Sequence, residues 1–167
     1  MGFLDDFFDM LDGTSEFLNS LSMSYTIGTL RGLKGIFQYL INCIDEFPNN
    51  WNYVADSDIE ELLDRMSVLK SSIDALDMDS IKMYNHMLRI INDYTDDYFI
   101  ELNISTLNGY KELLDADFDD ITKESIDYFM LSTSCIQAEI AQYISCLNVV
   151  CNNFDYYNDI YQEHQYD

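Results

Sequence analysis

The sequence predicts an all-α chain, a single-domain bundle of about five helices with its long helices antiparallel, on three observations. One proline, Pro48, and six glycines in 167 residues leave long stretches without a helix breaker. Over most of the chain, apolar residues recur in steps of three and four, the period of one helix face. Finally, 48% of residues are hydrophobic and 14% aromatic, so a core can form despite heavy charge, and a chain of this length is normally one domain.

The elements follow in order. Residues 1–16 form an amphipathic segment. Residues 26–46 form an apolar core helix. Between Thr26 and Ile44, the polar residues Arg31, Lys34, Gln38 and Asn42 make one narrow stripe and the rest is apolar or glycine, which predicts burial nearly all round. Inside it Gly28 and Gly32 form a G-x-x-x-G, the spacing that lets another backbone approach closely. The next helix, 57–76, opens on a capping box of Ser57 with Glu60 and carries apolar residues at 59, 62, 63, 66, 69, 73 and 76. A third, 80–102, is capped by Asp79 or Ser80 and places Ile81, Tyr84, Leu88, Ile91, Tyr98 and Leu102 on one face. The short link makes it antiparallel to the helix before. A shorter helix covers 105–116. Thr122 caps the last and longest, 122–161, along which Ile126, Phe129, Thr133, Ile136, Ile140, Tyr143, Leu147, Val150 and Phe154 form a heptad-like seam. Uninterrupted, that helix would be about 60 Å long and the bundle elongated. A break near Asn152-Asn153 is the competing reading.

Several classes are excluded on the same residues. The N-terminus, MGFLDDFFDMLD, lacks the basic residues of a secretory leader, and Asp6 stands where a myristoylation signal needs Ser or Thr. Arg31 and Lys34 interrupt the most apolar window, Tyr25 to Ile44, and each costs about 2.5–3.5 kcal/mol at a bilayer centre, so no membrane span is expected. Cys43, Cys135, Cys146 and Cys151 are too sparse for a disulfide framework and read as reduced, mostly buried thiols of a cytoplasmic protein.

Charge is the dominant feature. Eight Lys and Arg against 31 Asp and Glu leave −23, which excludes direct nucleic-acid binding and disfavours an anionic membrane. The excess is uneven: residues 17–44 carry +2, whereas 45–79 carry −8 and 105–167 carry −10. Dense runs fall at Asp56, Asp58, Glu60, Glu61 and Asp64, at Asp93, Asp96, Asp97 and Glu101, and at Asp115, Asp117, Asp119, Asp120, Glu124 and Asp127. Like charges three or four apart on a helix destabilise it by a few tenths of a kcal/mol per pair, roughly. A solvated face selected for solubility is one explanation, although about 2–8 net charges suffice for that. The other is recognition of a basic protein surface, with the clusters as contact residues. Aromatics interleave with the acids in DYTDDYF and DYYNDIY, and Tyr94, Tyr98, Tyr156 and Tyr157 are candidates to pack on a partner's Arg side chains, although Tyr98 also fits the core face of its helix.

In charge and size the chain is similar to phage-encoded DNA mimics, the acidic anti-CRISPR and anti-restriction inhibitors of nucleases. The likeness is one of composition and carries no residue role. It implies an inhibitor that occupies the basic nucleic-acid-binding surface of a nuclease or effector complex, in the host cytoplasm if phage-encoded. Two alternatives stand beside it. One is a helical immunity or adaptor protein clasping a cognate toxin or effector; the other is a homo-oligomeric scaffold, with a homodimer formed through the 26–44 helix.

No catalytic, metal or cofactor site is expected. DADFDDITKESI at 115–126 resembles a calcium loop at its first, third and fifth places, but Asp120 stands where Gly is needed and Ile126 where the bidentate Glu is needed. Neither His86 nor His164 has a Glu three residues before it, no zinc spacing occurs, and there is no nucleophile elbow or Gly-rich phosphate loop. His86 reads as a partly exposed surface residue, His164 as part of a frayed tail, and the chain as a non-enzyme.

Overall fold

The computed structural model describes residues 3–115 and 122–167, with side chains from Glu16 onward. Among the described residues there are six α-helices and no strand: α1 Phe3–Asp45, α2 Asp56–Asp74, α3 Met78–Tyr94, α4 Ile104–Asp115, α5 Lys123–Asn152 and α6 Phe154–His164. A 3-10 turn, Trp51–Tyr53, joins α1 to α2. The all-α architecture is as the missing breakers and the helical period predict.

Helix α1 corrects two expectations. It is one helix of 43 residues, where the sequence suggested separate segments. A glycine inside a helix costs about 1 kcal/mol and does not end it, so Gly13 marks no boundary. Nor is its 26–44 stretch buried all round. Met23, Thr26, Ile27, Leu30, Leu33, Phe37, Leu40, Ile41 and Ile44 are buried, while Tyr25, Thr29, Tyr39 and all three glycines are exposed beside the polar stripe. The helix stops before Phe47-Pro48, where Phe47 N–H donates to Ile44 O (3.0 Å) and proline disfavours helical backbone in the residue preceding it.

Elsewhere the boundaries move for local reasons. Helix α2 starts one residue earlier than expected, with Ala55 as N-cap and no side-chain cap, so Ser57 and Glu60 lie inside the first turns and form no capping box. Its predicted face holds: Leu62, Met66, Leu69, Ile73 and Leu76 are buried, with Leu63 exposed. Asp77 caps α3, two residues before the expected start, by accepting from Ser80 N–H (3.3 Å) and Ser80 Oγ–H (2.8 Å). Helix α3 then ends at Tyr94, eight residues short of the predicted 102. Thr95 Oγ1–H bonds back to Ile91 O (2.7 Å) and its Oγ1 accepts from Asp97 N–H (3.1 Å), the local bonding by which Thr and Asp compete with helix. Asn103 Oδ1 accepts from Thr106 N–H (3.1 Å) at the start of α4. Thr122 caps α5 as expected, accepting from Ser125 N–H (3.2 Å) while Thr122 N–H donates to Ser125 Oγ (3.0 Å). The competing reading of the last helix is the correct one: Asn153, at φ −132° and ψ 49°, separates α5 from α6. Every residue of the predicted seam from Ile126 to Phe154 is nonetheless buried.

The chain divides into two compact units, one made of Met1–Thr29, Asp77–Glu101 and Tyr143–Asp167, the other of Leu30–Leu76 and Leu102–Gln142. In the first, α3 packs on α6, and Tyr84, Leu88, Ile91, Tyr143, Leu147, Val150, Phe154 and Tyr157 supply the core. The fully buried Tyr143 donates to Ile81 O (3.4 Å), and burial pushes the pKa of its hydroxyl far up. In the second, α2 packs antiparallel on α4, stitched by two reciprocal ion pairs: Lys111 to Asp74 (2.6 Å) and Lys70 to Asp115. Its core holds Tyr110 between Phe37 (ring centroids 5.7 Å) and Phe129 (6.0 Å). There Tyr110 Oη lies 2.7 Å from Thr133 Oγ1, and Thr133 Oγ1–H donates to Phe129 O (2.7 Å). A threonine hydroxyl has one hydrogen, so it is the tyrosine that donates to the threonine.

Candidate functional site

The acids chosen from the sequence separate by surroundings. On α2, Asp56, Glu60 and Asp64 are exposed at steps of four residues, a row with about 6 Å between neighbours. Asp56 and Asp58 occupy the first turn, where the helix dipole favours negative charge and replaces the absent cap. Glu61 is 3.9 Å from Arg65, which lies over the Tyr39 ring (4.2 Å) and donates to its hydroxyl (3.0 Å). Asp58 and Glu61 also line a shallow depression with Cys43 and Asn42. Burial, with Glu61 next, raises the pKa of the Cys43 thiol, the opposite of an activated thiolate.

The 115–127 run is the least cohesive. Asp115 is taken up by Lys70, Glu124 and Asp127 are exposed near the start of α5, and Asp117, Asp119 and Asp120 lie outside the described residues. The calcium-like loop therefore lies largely outside them too.

The 93–101 run builds a defined surface. Where α3 ends, Asn92 clamps the following loop by donating from Nδ2 to Phe99 O and accepting at Oδ1 from Phe99 N–H, both at 2.7 Å. Phe99 is thereby buried against Tyr157 (5.6 Å between centroids, T-shaped), and Tyr157 donates to Asp97 (2.9 Å). Asp93, Tyr94, Thr95, Asp96, Asp97 and Tyr156 line the open depression that results. Tyr98, which the helical spacing also fitted to the core face, is 84% exposed because α3 has already ended. Glu101 is held by Arg89 in a two-pronged pair (2.6 and 3.3 Å), whereas Asp93 and Asp96 have no cation within salt-bridge distance among the described residues.

Of the four candidate aromatics, Tyr94, Tyr98 and Tyr156 are exposed and Tyr157 is only 6% exposed. Burial, with Asp97 next, pushes the Tyr157 pKa up to about 12, so its role is to brace the loop. Tyr94 stacks on His164 (3.6 Å, 10°) and donates to Asp167 (2.7 Å). His164 thus belongs to a packed helix end and not to a frayed tail, and His86 is half-buried edge-on to Tyr161 (5.6 Å). The same unit adds acids that were not chosen. Asp155, Asp159 and Glu163 are exposed at steps of four on α6, a spacing readable in DYYNDIYQE had it been assigned its own helix.

The cysteines are less buried than expected: Cys135 is exposed and the other three are half-buried, all unpaired, with Cys151 Sγ 3.3 Å from Ser24 Oγ. Among the described residues no three His, Cys, Asp or Glu side chains form a group able to hold a metal ion, and no helix is long and apolar enough to cross a membrane. Compared with protein-family models, curated proteins and solved structures, the chain has no match.

Proposed function

We propose that this chain is an acidic, protein-binding inhibitor that occupies the basic nucleic-acid-binding surface of a target enzyme, a nuclease or effector complex, as a DNA mimic does. It acts in the cytoplasm, that of the host if phage-encoded, and performs no chemistry of its own. The observation that carries the reading is the Asp93–Glu101 surface, where Asp93 and Asp96, neither within ion-pair distance of a cation among the described residues, stand beside the exposed Tyr94, Tyr98 and Tyr156 on a loop pinned by Asn92. Solubility asks only for scattered charge; it does not ask for a clamped loop that holds acids and rings in one arrangement. Carboxylates spaced about 6 Å apart stand in for phosphates, and exposed tyrosines pack on the Arg side chains that contact phosphates. Like-charge fields of this size accelerate association with a basic target by about 10-fold to 1,000-fold and lose that advantage as salt rises.

The test is competition with DNA for purified restriction and CRISPR-type nucleases, measured across salt. The expected result is displacement of DNA at about 50 mM salt that fades by about 500 mM. Asp93→Lys with Asp96→Lys should slow association by about tenfold, with the fold intact because both carboxylates are exposed and neither lies within ion-pair distance of a cation among the described residues. Absence of binding to every candidate at low salt sinks the reading. An immunity or adaptor protein is the second reading. It is favoured by the apolar groove between α4 and α5, where Leu113, Tyr128, Leu131 and Ile136 line one wall or the other. A partner seated there would stay bound at about 500 mM salt.

A further inference from the structure

In the second unit an apolar groove runs between α4 and α5, and among the described residues nothing fills it. Thr106 and Leu113 line it from α4, Tyr128, Leu131 and Cys135 line it from α5, and the buried Tyr110 ring forms part of its floor. These residues recur in steps of three and four, so one strip of each helix faces the groove over about two turns, or about 10–12 Å. Tyr128 is 61% and Leu131 64% exposed, large apolar side chains that the chain's own packing leaves in water. The floor offers no free polar anchor, because the Tyr110 hydroxyl is committed to Thr133. A small-molecule site needs polar groups placed inside it to fix its ligand, whereas a groove of this build takes the apolar ridge of another helix.

We propose that this groove docks a basic amphipathic helix of a partner protein, its apolar ridge against the floor and Lys or Arg along its flanks. Charge selects the occupant. Glu112 stands at the edge of the groove, Glu124 lies one turn before Tyr128, and Glu139 lies one turn after Cys135, on the strip of α5 that faces the groove. All three are exposed, and none is within ion-pair distance of a cation among the described residues. The other side of α4 is built differently: where it meets α2, Lys111 pairs with Asp74 and Asp115 with Lys70. Carboxylates are thus matched by lysines where these two helices meet, and left unmatched around the groove. A second copy of the chain, at −23, would bring like charge to that rim, as would an acidic helix. A basic helix buries Tyr128 and Leu131 and supplies the cations the rim lacks. The proposal rests on the second reading of function, to which it gives a partner class, and takes no part of the Asp93–Glu101 surface.

Three labelled peptides of about 18 residues test it by fluorescence anisotropy on the full chain at about 150 mM salt. One carries leucines at steps of three and four flanked by lysines, the second has glutamates for the lysines, and the third is a scramble of the first. The lysine peptide should bind with a dissociation constant of about 10 µM, at least about tenfold tighter than the other two. At about 50 µM it should slow alkylation of Cys135, the exposed cysteine, by N-ethylmaleimide about fivefold. Leu131→Asp adds a negative charge, so it strengthens binding driven by charge alone but should weaken groove docking at least about tenfold, with circular dichroism unchanged because Leu131 is exposed. Glu112→Gln with Glu139→Gln keeps the apolar floor and should weaken the lysine peptide about fivefold. A lysine peptide no tighter than its scramble or its glutamate version overturns the proposal, as does an unprotected Cys135 or a Leu131→Asp variant that binds as tightly as wild type. A dimer of the chain dispersed by Leu131→Asp overturns it too, assigning the groove to a second copy. The readings fail separately: a different partner that Leu131→Asp releases at about 500 mM salt keeps the second reading and sinks only this proposal, and displacement of DNA from nucleases reports on the acidic surface alone.

Discussion

The hydroxyl pair at the centre of the second unit offers the sharpest energetic test, because its direction is known. Tyr110 donates to Thr133 Oγ1, and Thr133 donates to Phe129 O. Both side chains are buried, and burial pushes the Tyr110 pKa far up, so neither ionisation nor water relieves a lost partner. In Thr133→Val the shape and helix propensity are nearly kept, and Phe129 O retains its helical N–H partner. The tyrosine hydroxyl is then left buried without an acceptor, at about 2 kcal/mol. Tyr110→Phe removes the same bond but orphans no hydrogen, since Thr133 still donates to Phe129 O, and should cost about 1 kcal/mol. With both changes made, no unsatisfied donor remains, so the double variant should be no worse than Tyr110→Phe, a coupling of about 2 kcal/mol between the sites. Urea unfolding followed by the lone tryptophan, Trp51, which lies in the same unit, reads this directly. With an m value of about 2 kcal/mol per M, the midpoint should fall by about 1 M in Thr133→Val and about 0.5 M in Tyr110→Phe. Equal costs for the two single variants, or strict additivity in the double, would refute the assigned donor.

Two further outcomes are expected. The Ser80 hydroxyl, with the Ser80 amide next, holds the Asp77 carboxyl below its ordinary 3.8. A depressed carboxyl contributes stability that is complete above that ordinary value and disappears as pH falls through the folded one. Asp77→Ala should therefore melt below wild type at pH 6, with a gap that closes in acid; a gap constant from pH 6 to 2 contradicts the cap. Asn92→Ala should release the 95–99 loop, removing two 2.7 Å hydrogen bonds at a cost of about 1–3 kcal/mol. Hydrogen exchange should show the Phe99 amide losing protection while Leu88 in α3 keeps it. An unchanged Phe99 amide would mean that Asn92 does not hold the loop.

What the sequence determined by itself was what period alone carries. Scarcity of breakers and steps of three and four made the chain helical, and the nine-residue seam from Ile126 to Phe154 was legible in full because an apolar stripe has one stable destination. Boundaries were less legible, since the Thr95 bonds and the change of backbone conformation at Asn153 that end α3 and α5 are local, while an apolar residue such as Leu102 can resume the helical register by coincidence. Only the tertiary structure decided which faces remain outside. Tyrosine suits core and surface alike, so the same DYTDDYF and DYYNDIY patterns yield an exposed Tyr98 and a buried Tyr157. Likewise, Lys70 and Asp115 are 45 residues apart and each reads as an ordinary surface charge until α2 meets α4. Helix α1 makes the point most clearly. Its glycines and apolar residues looked like the interior of a buried helix, and it was packing on one side alone that turned Tyr25, Gly28, Gly32 and Gly35 outward. Burial depends on what a face meets, which residue type and spacing do not encode.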